Sequence, residues 1–216
     1  MTTNPSEVNI SFTKRTFDII VSGTLLIILS PLFLIIILCL KIEGFLVRKN
    51  KGPILYSETR ISQGKPFKLR KFRIFKTSAY MPLKNNGDVV HTKPLEKNPK
   101  NITLCGHILK SFYLDEAPQL CNVFVGNMSL VGPRPWNPVD YKNEVAQGEY
   151  RKKVIKAGLT GPVQIHKLDA HKLGGEQKMD NDYIKFNRNK NGLRVVAHDI
   201  KILIQSLWFM LKGQGL

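Results

Sequence analysis

An apolar run extends from Phe17 to Leu40, "FDIIVSGTLLIILSPLFLIIILCL", 24 residues whose one charge, Asp18, sits at the edge. About 20 such residues cross the hydrocarbon core of a bilayer as a helix, so the run predicts insertion into lipid. It is too long for the apolar region of a signal peptide and no A-x-A-like site follows it, which predicts a retained anchor. Pro31 interrupts the run. Proline has no amide donor and its ring clashes with the carbonyl four residues back, here Ile27, so the helix should break at Ser30-Pro31, leaving roughly 20 Å before and 13 Å after. Neither part spans a core of about 30 Å. A kinked spanning helix and a re-entrant helix-break-helix hairpin both fit this pattern. Lys14 and Arg15 before the run, and Lys41, Arg48, Lys49 and Lys51 after it, draw both ends to the cytoplasmic side.

Beyond the anchor, apolar residues roughly alternate in two runs from Gly52 to Phe75 around the turn-prone "SQGKP", which predicts a β-hairpin carrying basic side chains. Residues 82–101, rich in Asn, Lys and Pro, read as a surface loop or lid. From Ile102 to Val125 the spacing is helical, and Pro118 divides it into two short helices. "GNMSLVGPRPWNP", Gly126 to Pro138, reads as a rigid connecting loop, followed by a polar helical segment to about Lys156 and the Gly-rich loop "AGLTGP". Neither loop has a P-loop or Rossmann pattern. Near the C-terminus His198, Lys201, Gln205 and Lys212 share one helical stripe, with apolar residues around the rest. Such a helix is either a core element or an in-plane interfacial helix with Trp208 at headgroup depth.

Composition narrows the partners. The 216 residues carry 33 Lys and Arg against 16 Asp and Glu, a net charge of +17. This bias suits nucleic acid, anionic headgroups or a phosphorylated substrate. No zinc-finger spacing or RNP-like strand accompanies it, so no nucleic-acid partner is expected. The three cysteines, Cys39, Cys105 and Cys121, form no C-x-x-C pair and predict neither a disulfide framework nor a zinc site. His166 and His171 read as ordinary polar loop residues.

The chemistry concentrates in "YLDEAPQL". Asp115 and Glu116 stand between Leu114 and the apolar Ala-Pro, which places one carboxylate beside the core. Burial raises a carboxyl's pKa unless cations or a metal compensate, and Lys71, Arg73, Lys110 and Arg134 are candidate cations. Carboxylates, basic side chains and a phosphate-bearing substrate suit phosphoryl transfer, with Mg²⁺ bridging carboxylate and phosphate oxygens or a carboxylate attacking phosphorus. Arg134, held between Pro133 and Pro135, has a stiff backbone that presents its planar fork to phosphate oxygens, or caps a helix end.

"KRTFDII" with the broken apolar helix, "GKPFKLRKFRIF", "LDEAPQL", "NVFVGNMSLVGPRP", "GLTGPVQI" and "DIKIL" follow one another in an order that resembles the monotopic polyprenyl-phosphate phosphoglycosyl transferases. These are the bacterial sugar transferases that initiate capsule, exopolysaccharide and glycoprotein glycan assembly. The resemblance runs from Lys14 almost to the C-terminus. It implies an α+β, mainly helical monotopic membrane protein: a tail over 1–16, a re-entrant helix over 17–40 breaking at Ser30 and Pro31, and a cytoplasmic catalytic domain over 41–216 with interfacial amphipathic helices. It implies transfer of a phosphosugar from a UDP-sugar to polyprenyl (undecaprenyl) phosphate at the cytoplasmic face of a bacterial inner membrane, with release of UMP. Asp115 then matches the nucleophile that carries the phosphosugar and Glu116 its partner, both toward Mg²⁺. Arg134 and Lys110 match phosphate-contacting positions, and Lys71 and Arg73 match the family's "KFR" more loosely.

Several positions depart from the family pattern. Lys110 replaces the usual Arg, exchanging a bidentate fork for a point charge. Asn101 and His107 replace basic residues, Asn127 an Asp, Ala157 a Pro and Pro162 a Trp, and "HKLDA" replaces a Gly-Arg segment. They point to altered sugar specificity with the dyad intact. The alternative is a catalytically idle membrane-surface scaffold of a glycan-assembly complex.

Overall fold

The structure, a computed structural model, describes residues 6–85, 93–167 and 169–211. The expectations placed on the middle of the 82–101 loop and on Lys212 lie outside the described residues.

In chain order the elements are α1 (Phe12–Ile28), α2 (Ser30–Leu46), β1 (Leu55–Ser62), β2 (Lys65–Phe72), α3 (Thr77–Asn85), α4 (Lys93–Glu96), α5 (Leu104–Ser111) and α6 (Gln119–Phe124). There follow β3 (Ser129–Val131), α7 (Pro138–Ala146), α8 (Arg151–Val154), β4 (Gly158–Thr160), α9 (Pro162–Ile165), α10 (Gly175–Asn189) and α11 (Gly192–Leu211). The fold is mainly helical with two small sheets.

The predicted break is present and is chemically closed. α1 ends at Ile28, α2 starts at Ser30, and the pair bends by 55°. The carbonyl that Pro31 leaves without a donor is that of Ile27, and Ser30 Oγ donates to it at 2.7 Å. Among the described residues no single helix is long and apolar enough to cross a membrane; only the bent pair passes that test together. Both helices extend past the apolar run, to Phe12 on one side, where Lys14 is buried, and to Leu46 on the other, where Gly44 is buried.

The chain divides into two compact units, residues 1–23, 60–67 and 122–216, and residues 24–59 and 68–121. In the first, the basic and acidic residues of α1 point inward. Lys14 Nζ pairs with the Asp199 carboxylate of α11, Tyr183 Oη donates to Asp199 Oδ1 at 2.8 Å, and Asp18 Oδ1 accepts from the Leu130 amide at 3.2 Å. Arg15 donates to the carbonyls of Val123 and Phe124 at 2.7 and 2.6 Å. Lys14 and Arg15 are therefore core and capping residues of this unit, and their charges are not available as free flanking positives of an anchor.

β3 and β4 pair in parallel, Ser129 opposite Gly158 and Val131 opposite Thr160. Both stretches were expected as loops; three-residue strands framed by Gly and Pro carry no readable alternation. Gly158 permits the pairing, since a β-carbon there would lie 2.1 Å from the Gly132 nitrogen. On α11, Val195, Asp199, Ile202 and Ser206 are buried while Ile200, Ile204, Leu207 and Trp208 are exposed. The helix therefore has a core face and a second, outward apolar face.

In the second unit, Ile36 and Leu40 of α2 join Tyr56, Phe72, Ile74, Phe75, Tyr80, Ile102 and Leu109 in one hydrophobic core. Leu34, Ile35, Leu38, Ile42, Phe45 and Leu46 of the same helix remain exposed. The predicted hairpin is β1–β2, turning through Gln63 and Gly64 at φ 50° and 71°. The two helices expected around Pro118 are α5 and α6, with a 3₁₀ turn, Leu114–Glu116, between them. The 82–101 stretch is not wholly loop, since α4 and a 3₁₀ turn at Pro99–Asn101 lie within it.

Candidate active site

The site is built at the C-terminal end of α5. Its first three amides are all met by side chains: Thr103 Oγ1 accepts from Gly106 N at 2.9 Å, and the Glu43 carboxylate of α2 accepts from Leu104 N and Cys105 N at 2.8 and 3.1 Å. A carboxylate at a helix N-terminus also complements the macrodipole. At its other end α5 stops at Ser111, and Tyr113 takes a left-handed conformation, φ 56°, that turns the chain into Leu114–Glu116. A left-handed non-glycine residue is strained and persists only where its surroundings fix it.

That turn buries Asp115 and leaves Glu116 half-buried. Lys71 of β2 donates to Glu116 Oε1 at 2.7 Å. Along β2, Phe67, Leu69 and Lys71 share the inward side of the pleat, so the lysine reaches the dyad by strand register. Burial, and next the adjacent Glu116 charge, push the Asp115 carboxyl from its ordinary value near 3.8 up to about 6, with Lys71 opposing the rise. Burial works against the Lys71 ammonium, but Glu116 outweighs it and the lysine's pKa is raised. The pair thus separates two neighbouring carboxyls into a neutralised, lysine-bound one and a poorly compensated one.

Asp115 and Lys71 line a cavity of about 20 Å³ together with Tyr56, Glu58, Phe72, Ile74, Phe75 and Glu96. Glu58 and Glu96 were not singled out from sequence. The available signal was positional, because Glu58 follows Tyr56 on the buried side of β1, an unusual place for a carboxylate. The cavity has room for one water or ion. Among the described residues no three metal-ligating side chains are close enough to enclose a metal by themselves. Mg²⁺ is commonly held by one or two carboxylates together with substrate phosphate oxygens, and an undercompensated Asp115 in an ion-sized cavity fits that mode.

The other expected residues separate clearly. Lys110 pairs with Glu96 at 2.9 Å, and both side chains are more than a third accessible in part. Arg73 is 2 % exposed and each of its three guanidinium nitrogens donates to main chain: Nε to Pro53 O, Nη1 to Phe75 O and Nη2 to Asn50 O, at 2.7, 2.8 and 2.8 Å. It is a structural clasp between these segments. Arg134 belongs to the other unit, where it is exposed between the buried Pro133 and Pro135. Its loop is fixed on β4, with Gly158 N donating to Pro133 O and Gly132 N to Thr160 O, each at 2.9 Å. Arg134 is thus an exposed residue on a rigid frame.

A buried carboxyl beside a lysine-paired one is chemically able to serve as a nucleophile in group transfer. The chain belongs to the bacterial sugar transferase family, whose pattern matches residues 9–213. It is 36 % identical over 157 residues to a UDP-glucose:undecaprenyl-phosphate glucose-1-phosphate transferase of Klebsiella pneumoniae, covering 71 % of this chain and 30 % of that protein. With an undecaprenyl-phosphate galactose phosphotransferase of Salmonella typhimurium it shares 31 % identity over 202 residues, 90 % of this chain and 41 % of the relative. With the exopolysaccharide production protein ExoY of Sinorhizobium fredii it shares 34 % over 163 residues, 70 % and 68 % of the two chains. The chain thus spans less than half the length of the first two of these relatives.

Proposed function

We propose that this protein transfers a phosphosugar from a UDP-sugar to a polyprenyl phosphate at the cytoplasmic face of a bacterial inner membrane. An Asp115 carboxylate oxygen attacks the sugar-linked phosphorus; the bond from that phosphorus to the bridging oxygen breaks and UMP leaves with the electron pair. A polyprenyl phosphate oxygen then attacks the same phosphorus, the aspartyl acyl phosphate breaks, and Asp115 returns as carboxylate. Lys71 holds Glu116 and offsets part of the negative charge beside the nucleophile. Lys110 supplies positive charge for the diphosphate. Mg²⁺, held by Asp115 and Glu116 with phosphate oxygens, would neutralise charge developing on the leaving phosphate. The observation that carries the reading is the buried Asp115 beside the Lys71-paired Glu116 in a member of this family.

The bent pair serves as a re-entrant anchor. Support comes from its two ends: α1 is tied by Lys14 and Asp18 into one unit, and α2 by Ile36 and Leu40 into the other. Among the described residues no single helix is long and apolar enough to span lipid, and the bent pair meets that measure only as a pair. The test is UMP release by purified protein with Mg²⁺, polyprenyl phosphate and a panel of UDP-sugars, with and without Asp115→Asn. Release from at least one donor, abolished by the substitution together with a trapped phosphosugar adduct, is expected. Full turnover by Asp115→Asn would remove the nucleophile, and no release from any donor would favour an idle scaffold.

A further inference from the structure

Where α2 ends, Lys41, Arg48 and Lys51 surround a cavity of about 520 Å³ whose remaining lining is Leu40, Gly44, Phe45 and Gly52. This cavity is separate from the small one at Asp115 and shares no residue with it. It is formed because the chain doubles back: a 3₁₀ turn at Arg48–Asn50 follows α2, and Asn50 Nδ2 donates to Glu43 Oε1 of the last helical turn at 2.8 Å. Gly44 allows the return, since a β-carbon there would stand 3.3 Å from the Lys51 Cα.

Three features define what such a cavity takes. None of its three cations has a carboxylate partner among the described residues, in contrast to Lys14, Lys71, Lys110 and Lys152. The apolar part of the wall includes Phe45, 88 % exposed, which continues the exposed apolar face of Leu38 and Ile42. Lys41 lies between the apolar lining residues of α2, while Arg48 and Lys51 follow its end, so cations and apolar wall line the same cavity. A ligand that satisfies all three is an amphiphile with an anionic phosphate head and a hydrocarbon chain.

We infer that the Lys41–Arg48–Lys51 cavity is a binding site for the phosphate head of a membrane lipid, its chain lying along Phe45 and the outer face of α2. The site rests on the re-entrant reading of the anchor but not on the transfer reaction, since no residue of the dyad takes part. Two lipids supply this chemistry, an anionic phospholipid and the polyprenyl phosphate acceptor. A bound phospholipid would fix the depth of α2 in the leaflet; bound polyprenyl phosphate would make the cavity a holding site for the acceptor.

The full-length protein is taken from neutral phosphatidylcholine nanodiscs doped with either phosphatidylglycerol or polyprenyl phosphate, and retained lipids are counted by native mass spectrometry. One anionic lipid is expected to be held in preference to phosphatidylcholine, and neutralisation by K41Q/R48Q/K51Q should weaken its retention roughly tenfold or more. The variant K41R/R48K/K51R should keep it, as should a control that removes three exposed lysines elsewhere, K142Q/K185Q/K190Q. Single Lys51→Gln gives an intermediate reading if the triple variant does not fold. Retention of both lipids supports a general headgroup site, and retention of polyprenyl phosphate alone an acceptor site. Equal retention of phosphatidylcholine, no effect of the triple variant, or displacement by an equal concentration of inorganic phosphate overturns the inference. Carbonate-resistant membrane association of the same variants tests the anchor separately, and UMP release tests the reaction.

Discussion

Lys71 Nζ stands 2.7 Å from Glu116 Oε1, so the lysine that opposes the rise in the Asp115 pKa is committed to its neighbour. Asp115 is left with a pKa of about 6. Attack requires the carboxylate, so activity should fall as pH drops through about 6. Replacing Lys71 with Met removes the cation that opposes the rise and frees the Glu116 charge, and the acid limb of the pH–rate profile should move to higher pH. An unchanged limb would show that another group titrates.

The same shift bears on stability. A carboxyl at about 6 in the fold and 3.8 when unfolded binds more protons folded than unfolded between those values, so stability falls as pH rises through that window. At neutral pH the burden is of order 2–3 kcal/mol. Asp115→Asn should therefore be inactive yet unfold at higher denaturant concentration at pH 7.5, and the gain should vanish near pH 4. A destabilised Asp115→Asn at neutral pH would contradict the burial argument.

Arg73 and Lys110 should behave oppositely although both are basic. Arg73→Met leaves the buried carbonyls of Asn50, Pro53 and Phe75 without donors and should destabilise by about 3 kcal/mol or more. Arg73→Lys should recover only part of this, since an ammonium does not reproduce the planar fork. Lys110→Gln, with its partly exposed pair to Glu96, should change stability by less than about 1 kcal/mol and act on KM for the UDP-sugar. Chemical denaturation and steady-state kinetics on the three variants separate these outcomes.

Glu43→Ala removes the acceptor for two amides at the start of α5 and should cost about 1–2 kcal/mol. Hydrogen exchange should quicken at Leu104, Cys105 and the following turn, whereas Ser129 to Val131 of the other unit should keep their protection.

Restoring a donor to the Ile27 carbonyl by Pro31→Leu favours a continuous helix, but Lys14 and Asp18 hold α1 in a folded unit. The substitution alone should leave a cysteine introduced at Ser6, in a background without native cysteines, open to labelling from the cytoplasmic side. Adding Lys14→Met and Asp18→Leu should release it. Translocation of Ser6 by Pro31→Leu alone would show that these buried charges do not secure the N-terminus.

What the sequence disclosed was whatever depends on neighbours along the chain. The Pro31 break, the hairpin and the two helices around Pro118 all follow from residues within a few positions of one another. The dyad was legible for the same reason. Pairings between distant segments were not. β3 meets β4 across 29 residues through short Gly-bounded strands, and Glu58 reaches the Asp115 cavity only because β1 turns it inward. Arg73 shows the limit most clearly: its composition says phosphate, and only the fold reveals three carbonyls already waiting for it.

Those carbonyls come from the turn after α2, the lead into β1 and the segment leaving β2. One side chain therefore ties its own segment to chain 23 residues away, the work a disulfide does in small secreted domains. Cys39, Cys105 and Cys121 are all free thiols. A guanidinium tie has no redox chemistry and cannot be deprotonated at any pH a cell reaches, so this fastening holds under reducing conditions that would open a covalent bridge.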